Sequence, residues 1–385
     1  MHLSDRGVSR PVHGIVPPHL LLHLARYGDP ALRSVAEQAL RSLIISERLR
    51  GAREAIGAIA PRVATPPGTL RRTIYDAQHG DRLPGLRVRG EDDAVPEDIS
   101  VNESFDGLGA TYAFFADVCK RNSIDGRGLR LDASVHYHTH YDNAFWDGRQ
   151  MVFGDGDGVI FARFTRALDV IGHELAHGVT QYEAALEYSG QPGSLNEHFS
   201  DVFGSLVKQY HAGQTAARAD WLIGAGLFAS GVKGVALRSM KAPGTAYDDP
   251  RIGRDPQPAH MKDYDDTRDD NGGVHINSGI PNHAFYLAAI GFGGQAWTRA
   301  GMIWYEALTT TLGPDSDFAT AAAATVTIAG HQFGVAAARI VREAWKEVGV
   351  AAVARPRAAG PGGTSHAHSR GAERRRGGTA ARTRG

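Results

Sequence analysis

Apolar and polar positions follow two different periods along this chain. Residues 15–24 and 30–50 carry apolar side chains at helical spacing, which predicts two short helices. From about residue 72 to 158 the pattern changes to short segments of strand character, such as 129–136 and 150–153, separated by glycine and aspartate turns. The first half of the chain therefore predicts a small helical unit followed by a β-rich lobe.

Helical patterns dominate after residue 158. A long amphipathic helix is predicted within 159–182, ending near Tyr182. Further segments with apolar residues at helical spacing follow it: 195–210, 281–290, 296–312, 317–329 and 333–348. Strands followed by helices predict an α+β fold with a β-rich N-terminal lobe, a central helix and an α-helical C-terminal lobe.

Two terminal segments differ in composition from this body. Pro61, Pro66, Pro67 and Gly68 interrupt regular structure and predict a linker after an N-terminal unit. Residues 355–385 carry eight arginines and one glutamate with few apolar side chains, which predicts a disordered basic tail. We therefore divide the chain into an N-terminal segment with its linker, a β-rich lobe, a helical lobe and a tail: 1–66, 67–182, 183–354 and 355–385.

Composition narrows the possible partners. Lys plus Arg and Asp plus Glu both number 42, so the net charge favours neither nucleic acid nor a membrane surface. The single cysteine, Cys119, excludes an internal disulfide. Residues 1–18 contain no apolar leader segment, and no stretch of the sequence reaches membrane-spanning length. We expect a protein made in the cytoplasm without a signal peptide.

The central helix contains the sequence His173-Glu174-Leu175-Ala176-His177, an H-E-x-x-H motif. A spacing of four residues places both imidazoles on one face of a helix, about one turn apart, where they can share a zinc ion. Glu174 then lies beside the metal, where its carboxylate can take a proton from a zinc-activated water. The motif predicts His173 and His177 as zinc ligands and Glu174 as the general base.

A second predicted helix supplies a third ligand. Glu197 lies twenty residues after His177 and completes a His₂Glu set, whose open fourth position is typical of catalytic zinc. Asp201 lies one turn further on the same face, where it can accept a hydrogen bond from the free N–H of His173. Without the preceding motif, both carboxylates would be interpreted as a solvated helix face.

Several motifs agree in order and spacing with one family. They are Asn143-Ala144-Phe145-Trp146, the run 154–158 (Gly-Asp-Gly-Asp-Gly), 169–173 and 270–279. Over roughly residues 72–350 the chain resembles the thermolysin family of neutral metallopeptidases, which implies a two-lobed zincin fold. The Val-Pro-Pro-His-Leu-Leu segment near the N-terminus, together with the missing leader, resembles the protealysin branch, whose members carry a short propeptide.

The resemblance implies roles for further residues. His275 matches the histidine that stabilises the tetrahedral oxyanion, Asp270 the carboxylate that orients it, and Tyr188 a second oxyanion donor. Arg238 matches the arginine that binds a substrate carbonyl. Asn143 and Ala144 match the strand edge that pairs with an extended peptide. The specificity pocket carries over onto five apolar residues, which imply cleavage on the N-terminal side of hydrophobic residues: Phe161, Phe164, Val170, Ile223 and Leu237. Of these, Phe164 departs from the smaller aliphatic residue that is commonest in the family.

A second departure concerns the family's double calcium site. Asp169 and Asp220 remain, but Lys208 stands where the resemblance implies a bridging glutamate, and Leu222 and Ala225 stand at two further acidic positions. Calcium needs six to eight oxygen ligands, and an ammonium group repels it. We therefore expect this site to hold no calcium and Lys208 to pair with Asp169, while other calcium sites remain open.

A separate histidine pattern lies in the β-rich lobe. His136, His138 and His140 alternate within a predicted strand, which would point all three to one face. Such a trio could bind a metal, but a surface position is the commoner explanation.

Together these features predict a zinc endopeptidase made as a zymogen, with its own propeptide and peptide substrates as partners and a monomeric state. Export without a leader is possible because the family is mostly secreted. One alternative is an inactive zinc-bound module that retains the propeptide and binds peptides. Another is an exopeptidase, which would need a charged group that anchors a substrate terminus.

Overall fold

The structure is a computed structural model of the 385-residue chain and describes residues 13–56, 66 and 68–352. The side chains of residues 13 and 47–56 are not described. The linker prolines Pro61 and Pro67 and the predicted tail 355–385 therefore lie outside the described residues. Contacts separate residues 1–354 from 355–385 as two units, and every described element belongs to the first.

The N-terminal segment begins with a short strand and continues as two helices, confirming both predicted helices. Strand β1 spans His13–Gly14, helix α1 Pro18–Arg26 and helix α2 Arg33–Ile56, with a 3₁₀ turn at Pro30–Leu32 before α2. A proline suits the first position of α1 because the N–H it lacks has no partner within the helix. Helix α1 buries one apolar face made of Leu20, Leu21 and Leu24.

A six-stranded sheet forms the core of the N-terminal lobe. Its remaining strands are β2 (Arg72–Asp76), β3 (Leu86–Gly90), β4 (Leu131–Val135), β5 (Ala144–Trp146) and β6 (Met151–Phe153). The strand order is β1-β5-β6-β4-β2-β3, with β4 parallel to both β2 and β6 and the other pairs antiparallel. The two predicted strands are confirmed as β4 and β6. The N-terminal segment supplies the edge strand beside β5.

A long helix within this lobe was not predicted from the sequence. Helix α3 spans Ile99–Asp117, and the Asp98 side chain caps it by accepting hydrogen bonds from two backbone N–H groups. Gly107 and Gly109 interrupt the helical pattern but allow close packing. A Cβ atom at Gly107 would lie 2.3 Å from Cδ1 of Ile171 on the central helix. The glycines that obscure the helix in the sequence therefore let it pack in the fold.

The central helix and the helical lobe follow the predicted order. Helices α4 to α10 span Leu168–Tyr182, Gly190–His211, Asp270–Asn277, Gly279–Phe292, Ala300–Glu306, Phe318–Phe333 and Val335–Glu347. Helix α8 continues as a π-helical turn at Ala307–Thr311, and 3₁₀ turns occur at Phe164–Arg166 and Met261–Asp263. Two short antiparallel pairs complete the fold: β7 (Leu222–Ile223) with β8 (Arg238–Ser239), and β9 (Asp248–Asp249) with β10 (Gly253–Arg254).

Helices α4 and α5 cross closely at two glycines. A Cβ atom at Gly172 would lie 3.0 Å from Cα of Gly204, and one at Gly204 would lie 2.3 Å from the carbonyl oxygen of Asp169. Only glycine permits this approach. The crossing brings the metal-ligand positions of the two helices together. The predicted α+β class, with a sheet lobe, a central helix and a helical lobe, is confirmed.

The prediction that His136, His138 and His140 share a strand is wrong. Strand β4 ends at Val135, and the three histidines have φ angles of 55°, 52° and 52°, in the left-handed region. Alternating left-handed residues do not present side chains to one face of a sheet. Among the described residues, no helix combines the length and apolar character needed to cross a bilayer.

Candidate active site

Two histidines of α4 and one glutamate of α5 converge in the buried interior. Nε2 of His173 and Nε2 of His177 lie 3.0 Å apart. The carboxylate of Glu197 lies 3.5 Å from each of these nitrogens. Potential ligand atoms of all three side chains lie within 4.8 Å of one another. The three residues are thus placed as the sequence predicts for a His₂Glu set.

The hydrogen bonds around these histidines favour a bound cation. Nδ1 of His173 donates to Asp201, and Nδ1 of His177 donates to Asn196, each at 2.8 Å. The Nε2 lone pairs therefore face each other at 3.0 Å, which is unfavourable without a positive charge between them. Oε2 of Glu197 has no hydrogen-bond partner among the described residues. Burial also lowers the pKa of His177 to about 3, which keeps it neutral. This donor set fits Zn²⁺.

Glu174 connects the ligand set to the sheet. Its side chain is fully buried, and Oε2 accepts a hydrogen bond of 3.0 Å from the backbone N–H of Trp146 on β5. The Glu174 carboxylate thus links α4, the helix that carries both histidines, to the backbone of β5.

A histidine of α6 faces the same space from the helical lobe. Nδ1 of His275 donates to Asp270 at 2.7 Å, and the backbone N–H of His275 donates to the same carboxylate at 2.9 Å. Burial opposes the charged imidazole, but the carboxylates of Asp270 and Glu197 outweigh it and raise the pKa of His275. The Tyr188 hydroxyl donates to Glu197 and lies 3.3 Å from Nε2 of His275. Two donors therefore point at the ligand set.

Four consecutive residues with left-handed backbone conformations place the Asp270 carboxylate within hydrogen-bond distance of His275. Residues 270–273 have φ angles of 52°, 53°, 83° and 72°. A Cβ atom at Gly272 would lie 3.1 Å from the backbone nitrogen of Gly190, and one at Gly273 2.8 Å from Nδ2 of Asn277. The two glycines are required both by the φ angles and by the lack of space.

Asp201 accepts hydrogen bonds from three different elements. Arg238 donates to it twice, at 2.8 and 2.9 Å, and Asn282 donates at 2.8 Å. Burial favours the protonated acid, but Arg238 and His173 outweigh it and hold the pKa of Asp201 well below its usual range. Asp201 therefore orients both His173 and Arg238. The hydrogen bond to His173 was predicted from the sequence, and the one to Arg238 was not.

The edge of β5 is paired with the N-terminal segment. Strand β1 runs antiparallel to β5, with Gly14 opposite Phe145. The backbone N–H of Ile15 donates to the carbonyl of Ala144 at 3.1 Å, and that of Val16 donates to the side-chain oxygen of Asn143 at 3.0 Å. Both predicted peptide-binding positions on this edge are engaged by the protein's own chain.

The carbonyls of the same segment face the helical lobe. Nη1 of Arg238 donates to the carbonyl of Ile15 at 3.0 Å, and Nε2 of His275 donates to the carbonyl of Gly14 at 3.2 Å. Both donors are fully buried. Residues 14–16 therefore lie as an extended peptide between β5 and the two buried donors.

The five predicted pocket residues are buried in the core cluster that also contains Ile15 and Val16. The rings of Phe161 and Phe164 lie with their centroids 5.7 Å apart. None of the five is more than 1% exposed: Phe161, Phe164, Val170, Ile223 and Leu237. All five predicted pocket side chains therefore lie in the buried core of the protein.

Lys208 forms the ion pair predicted from the sequence. Its Nζ lies 2.7 Å from Oδ2 of Asp169, 3.0 Å from Oδ1 of Asp220 and 2.7 Å from the carbonyl of Leu222. Oxygens that could otherwise contribute to a cation site are thus gathered around a lysine ammonium. The pairing of Lys208 with Asp169 is confirmed.

Sequence reasoning missed several polar residues behind the site. Asn196 bonds to His177, and Asn282 bonds both to Asp201 and to His198, whose other nitrogen accepts from Trp304. Asn196 could have been found, because it directly precedes Glu197 on the same helix. Asn282 lies 81 residues after Asp201, and no local pattern connects them.

The fold and the site together define a metallopeptidase with a His₂Glu metal set. Models of the thermolysin metallopeptidase catalytic domain and of the thermolysin metallopeptidase alpha-helical domain match residues 71–181 and 184–350. The chain belongs to the thermolysin (M4) family and is a zinc metalloendopeptidase.

Relatives and a solved structure agree with this assignment. An extracellular metalloprotease of Pectobacterium carotovorum subsp. carotovorum is 51% identical over 329 residues, covering 84% of this chain and 92% of the relative. Protease PrtS of Photorhabdus sp. (strain Az29) is 46% identical over 319 residues, covering 81% and 85%. The structure of the precursor of protealysin, a metalloproteinase from Serratia proteamaculans, matches with a TM-score of 0.81 and 52% identity, covering 88% of this chain and 100% of that one.

Proposed function

We propose that the chain is the zymogen of an endopeptidase that cleaves internal peptide bonds on the N-terminal side of hydrophobic residues. Residues 1–66 are then its propeptide. The observation that carries the proposal is the position of residues 14–16, which pair with β5 and engage Arg238 and His275 as an extended peptide would. A segment held there excludes any other peptide from the same edge.

In the proposed mechanism, His173, His177 and Glu197 would hold the zinc, and Glu174 moves a proton. Zinc supplies Lewis-acid polarisation of the scissile carbonyl and of the attacking water. Glu174 takes one proton from that water as the water oxygen bonds to the scissile carbon. It then delivers this proton to the leaving nitrogen as the C–N bond breaks, which gives a carboxylic acid and a free amine. Its burial between α4 and β5 excludes bulk water and favours this transfer.

His275 and Tyr188 stabilise the charge that develops on the scissile oxygen. Asp270 holds His275 with Nδ1 occupied, so that Nε2 carries the second proton and points at the site. Donors already in place when charge develops lower the barrier without reorganisation, and losing one such donor typically costs about 100- to 1,000-fold in rate.

Substrate recognition combines a strand edge with an apolar pocket. Asn143, Ala144 and Arg238 bind the backbone of an extended peptide, replacing the contacts that Ile15 and Val16 make in the zymogen. The five buried apolar side chains from Phe161 to Leu237 then receive a hydrophobic residue that follows the scissile bond. The second aromatic ring, at Phe164, narrows this pocket.

Both propeptide helices anchor the inhibitory strand. Val16 is followed by two prolines, which have no backbone N–H, and α1 begins at the second of them, so the strand pairing ends there. His19 on α1 lies 3.1 Å from the Tyr247 hydroxyl. On α2, the Ser42 hydroxyl accepts from the backbone N–H of Asp142, next to the peptide-binding edge. The propeptide is held by both lobes.

The proposal is tested with purified full-length chain and an internally quenched peptide, with and without a zinc chelator, while intact mass is followed. We expect chelator-sensitive cleavage of the bond before a hydrophobic residue, appearing together with loss of about the first 66 residues. If the uncut chain cleaved the peptide as fast as the chain that has lost these residues, the protein would not be a zymogen.

Two alternatives give different outcomes in the same experiment. An inactive peptide-binding module would retain its N-terminal segment, bind one zinc and cut nothing, even after residues 1–66 are removed by limited proteolysis. An exopeptidase would cut peptides with free termini and spare those with both termini blocked. An endopeptidase cuts both at similar rates.

The site of action is proposed from a relative. The Pectobacterium relative is named an extracellular metalloprotease, and we infer that the mature form of this chain also acts outside the cell, as a monomer. The mass of the active species recovered from culture medium, measured by light scattering, tests both points.

A further inference from the structure

A second group of metal-ligand side chains lies outside the active site, where three loops of the sheet lobe meet. Nδ1 of His136 lies 2.9 Å from both carboxylate oxygens of Asp155. Nδ1 of His79 lies 3.6 Å from Oδ2 of the same carboxylate. The ligand atoms of the three residues all lie within 4.8 Å of one another. Two imidazoles and a carboxylate therefore converge without sharing a residue with the zinc set.

The backbone holds these loops in place. The N–H of His79 donates to the carbonyl of His136 at 2.9 Å, and the N–H of His138 donates to the carbonyl of Gly80 at 3.1 Å. His79 and His136 both have left-handed backbone conformations, with φ angles of 57° and 55°. The N–H of Tyr137 also donates to the carbonyl of Phe153, two residues before Asp155. The ligand side chains are thus brought together by main-chain contacts.

The second ring nitrogen of His136 is hydrogen-bonded to another carboxylate. Nε2 lies 2.8 Å from Oδ2 of Asp98, the residue that caps α3. Histidines that bind metals usually donate their second N–H to such an acceptor, which fixes the ring and directs the other nitrogen at the metal. His173 has the same arrangement with Asp201 in the active site. His136 therefore has the surroundings of a metal ligand.

We propose that His79, His136 and Asp155 form a second metal site, which binds a divalent transition metal such as Zn²⁺ with water completing the coordination. Imidazole nitrogens and one carboxylate suit zinc, nickel or copper, whereas calcium requires six to eight oxygens. The metal replaces the proton that His136 shares with Asp155. His138 and His140, the other members of the histidine pattern, do not belong to the group.

The bound metal joins the glycine-rich segment to the rest of the lobe. Asp155 follows Gly154, whose N–H donates to the carbonyl of Asn143 at 2.9 Å on the peptide-binding edge. His79 and His136 belong to loops that follow β2 and β4. A metal at this position therefore stabilises the loops behind the edge that receives the substrate.

The test uses full-length chain carrying Glu174→Gln to prevent self-cleavage, loaded with one zinc. Zinc chloride is titrated into this protein, and bound metal is measured by calorimetry and elemental analysis. We expect one further equivalent. His79→Ala should weaken its binding at least tenfold, because one of three ligands is lost. His140→Ala is the matched control and should bind like the parent.

His79 is the variant of choice because 58% of its side chain is exposed, so its truncation leaves the packing intact. Asp155→Asn is a second variant, checked for folding by circular dichroism. Zinc should raise the thermal midpoint of the parent and of His140→Ala but not of His79→Ala. The proposal is overturned if the parent binds no further zinc, or if His79→Ala binds it as tightly as His140→Ala does.

Discussion

Replacing Lys208 tests whether an ammonium has taken the place of a calcium ion. Lys208 is the cation beside Asp169, whose side chain is only 2% exposed. Lys208→Met keeps the aliphatic stem and removes the charge, leaving the carboxylate to two backbone N–H groups, from Val170 and Gly224. Breaking a buried pair costs about 3–5 kcal/mol. Because 21% of the Lys208 side chain is exposed, we expect about 2–4 kcal/mol.

A second variant, Lys208→Glu, tests whether a carboxylate at this position allows calcium to bind. It gathers three carboxylates, those of residue 208, Asp169 and Asp220, together with the carbonyl of Leu222. In a calcium-free buffer this variant should be less stable than Lys208→Met, because like charges repel. Added calcium should restore part of its stability and should stabilise the variant more than the parent, since only the variant offers an oxygen cluster free of an ammonium at this position.

Urea unfolding measures these differences, in the Glu174→Gln background with zinc present and EGTA or calcium added. Lys346→Met, at a lysine with 76% of its side chain exposed, is the control and should change the free energy of unfolding by less than about 0.5 kcal/mol. The reasoning would be refuted if millimolar calcium did not stabilise Lys208→Glu, or if it stabilised the parent as much as Lys208→Glu.

Three further predictions concern buried groups. Asp142 is fully buried, its carboxyl oxygens lack well-formed hydrogen bonds within the described residues, and burial together with Asp157 raises its pKa well above 3.8. Stability should therefore fall as pH rises above about 4, and Asp142→Asn should remove this slope and add about 1–3 kcal/mol at pH 7 in urea unfolding. For His19, burial lowers the pKa to about 4, so propeptide docking should weaken as pH falls from 6.5 towards 4. His19→Gln should abolish that dependence in maturation rates followed by intact mass. Leu24→Ala removes a fully buried anchor of α1 and should weaken docking by about 2–5 kcal/mol and speed maturation, whereas Leu40→Ala, at a residue 46% exposed, should not.

The metal set could be predicted because its geometry is local. His173 and His177 lie four residues apart on one helix, and Glu197 and Asp201 repeat that spacing on the next, so helical periodicity alone aligns each pair. The crossing of the two helices depends on Gly172 and Gly204, whose pairing no single segment reveals. The resemblance to a family supplied that long-range information.

Elements that depend on tertiary contacts escaped prediction. Strand β1 is two residues long, and the carbonyls of Gly14 and Ile15 at its end accept hydrogen bonds from Arg238 and His275, more than 200 residues away. The alternation at 136–140 is strand-like in sequence, but hydrogen bonds to the loop at 79–80 hold His136 and His138 in left-handed conformations. In both cases, hydrogen bonds to residues distant in the sequence fix a local conformation that the local pattern does not reveal.

The most direct test of the central claim compares the matured enzyme with its Glu174→Gln variant, activated by the same limited proteolysis, for zinc content and for cleavage of a quenched peptide. The account predicts one tightly bound active-site zinc in both proteins and a loss of kcat of about 100- to 10,000-fold in the variant, because the ligands remain and only the general base is gone. A variant that cleaves at the parental rate while holding its zinc would contradict the account.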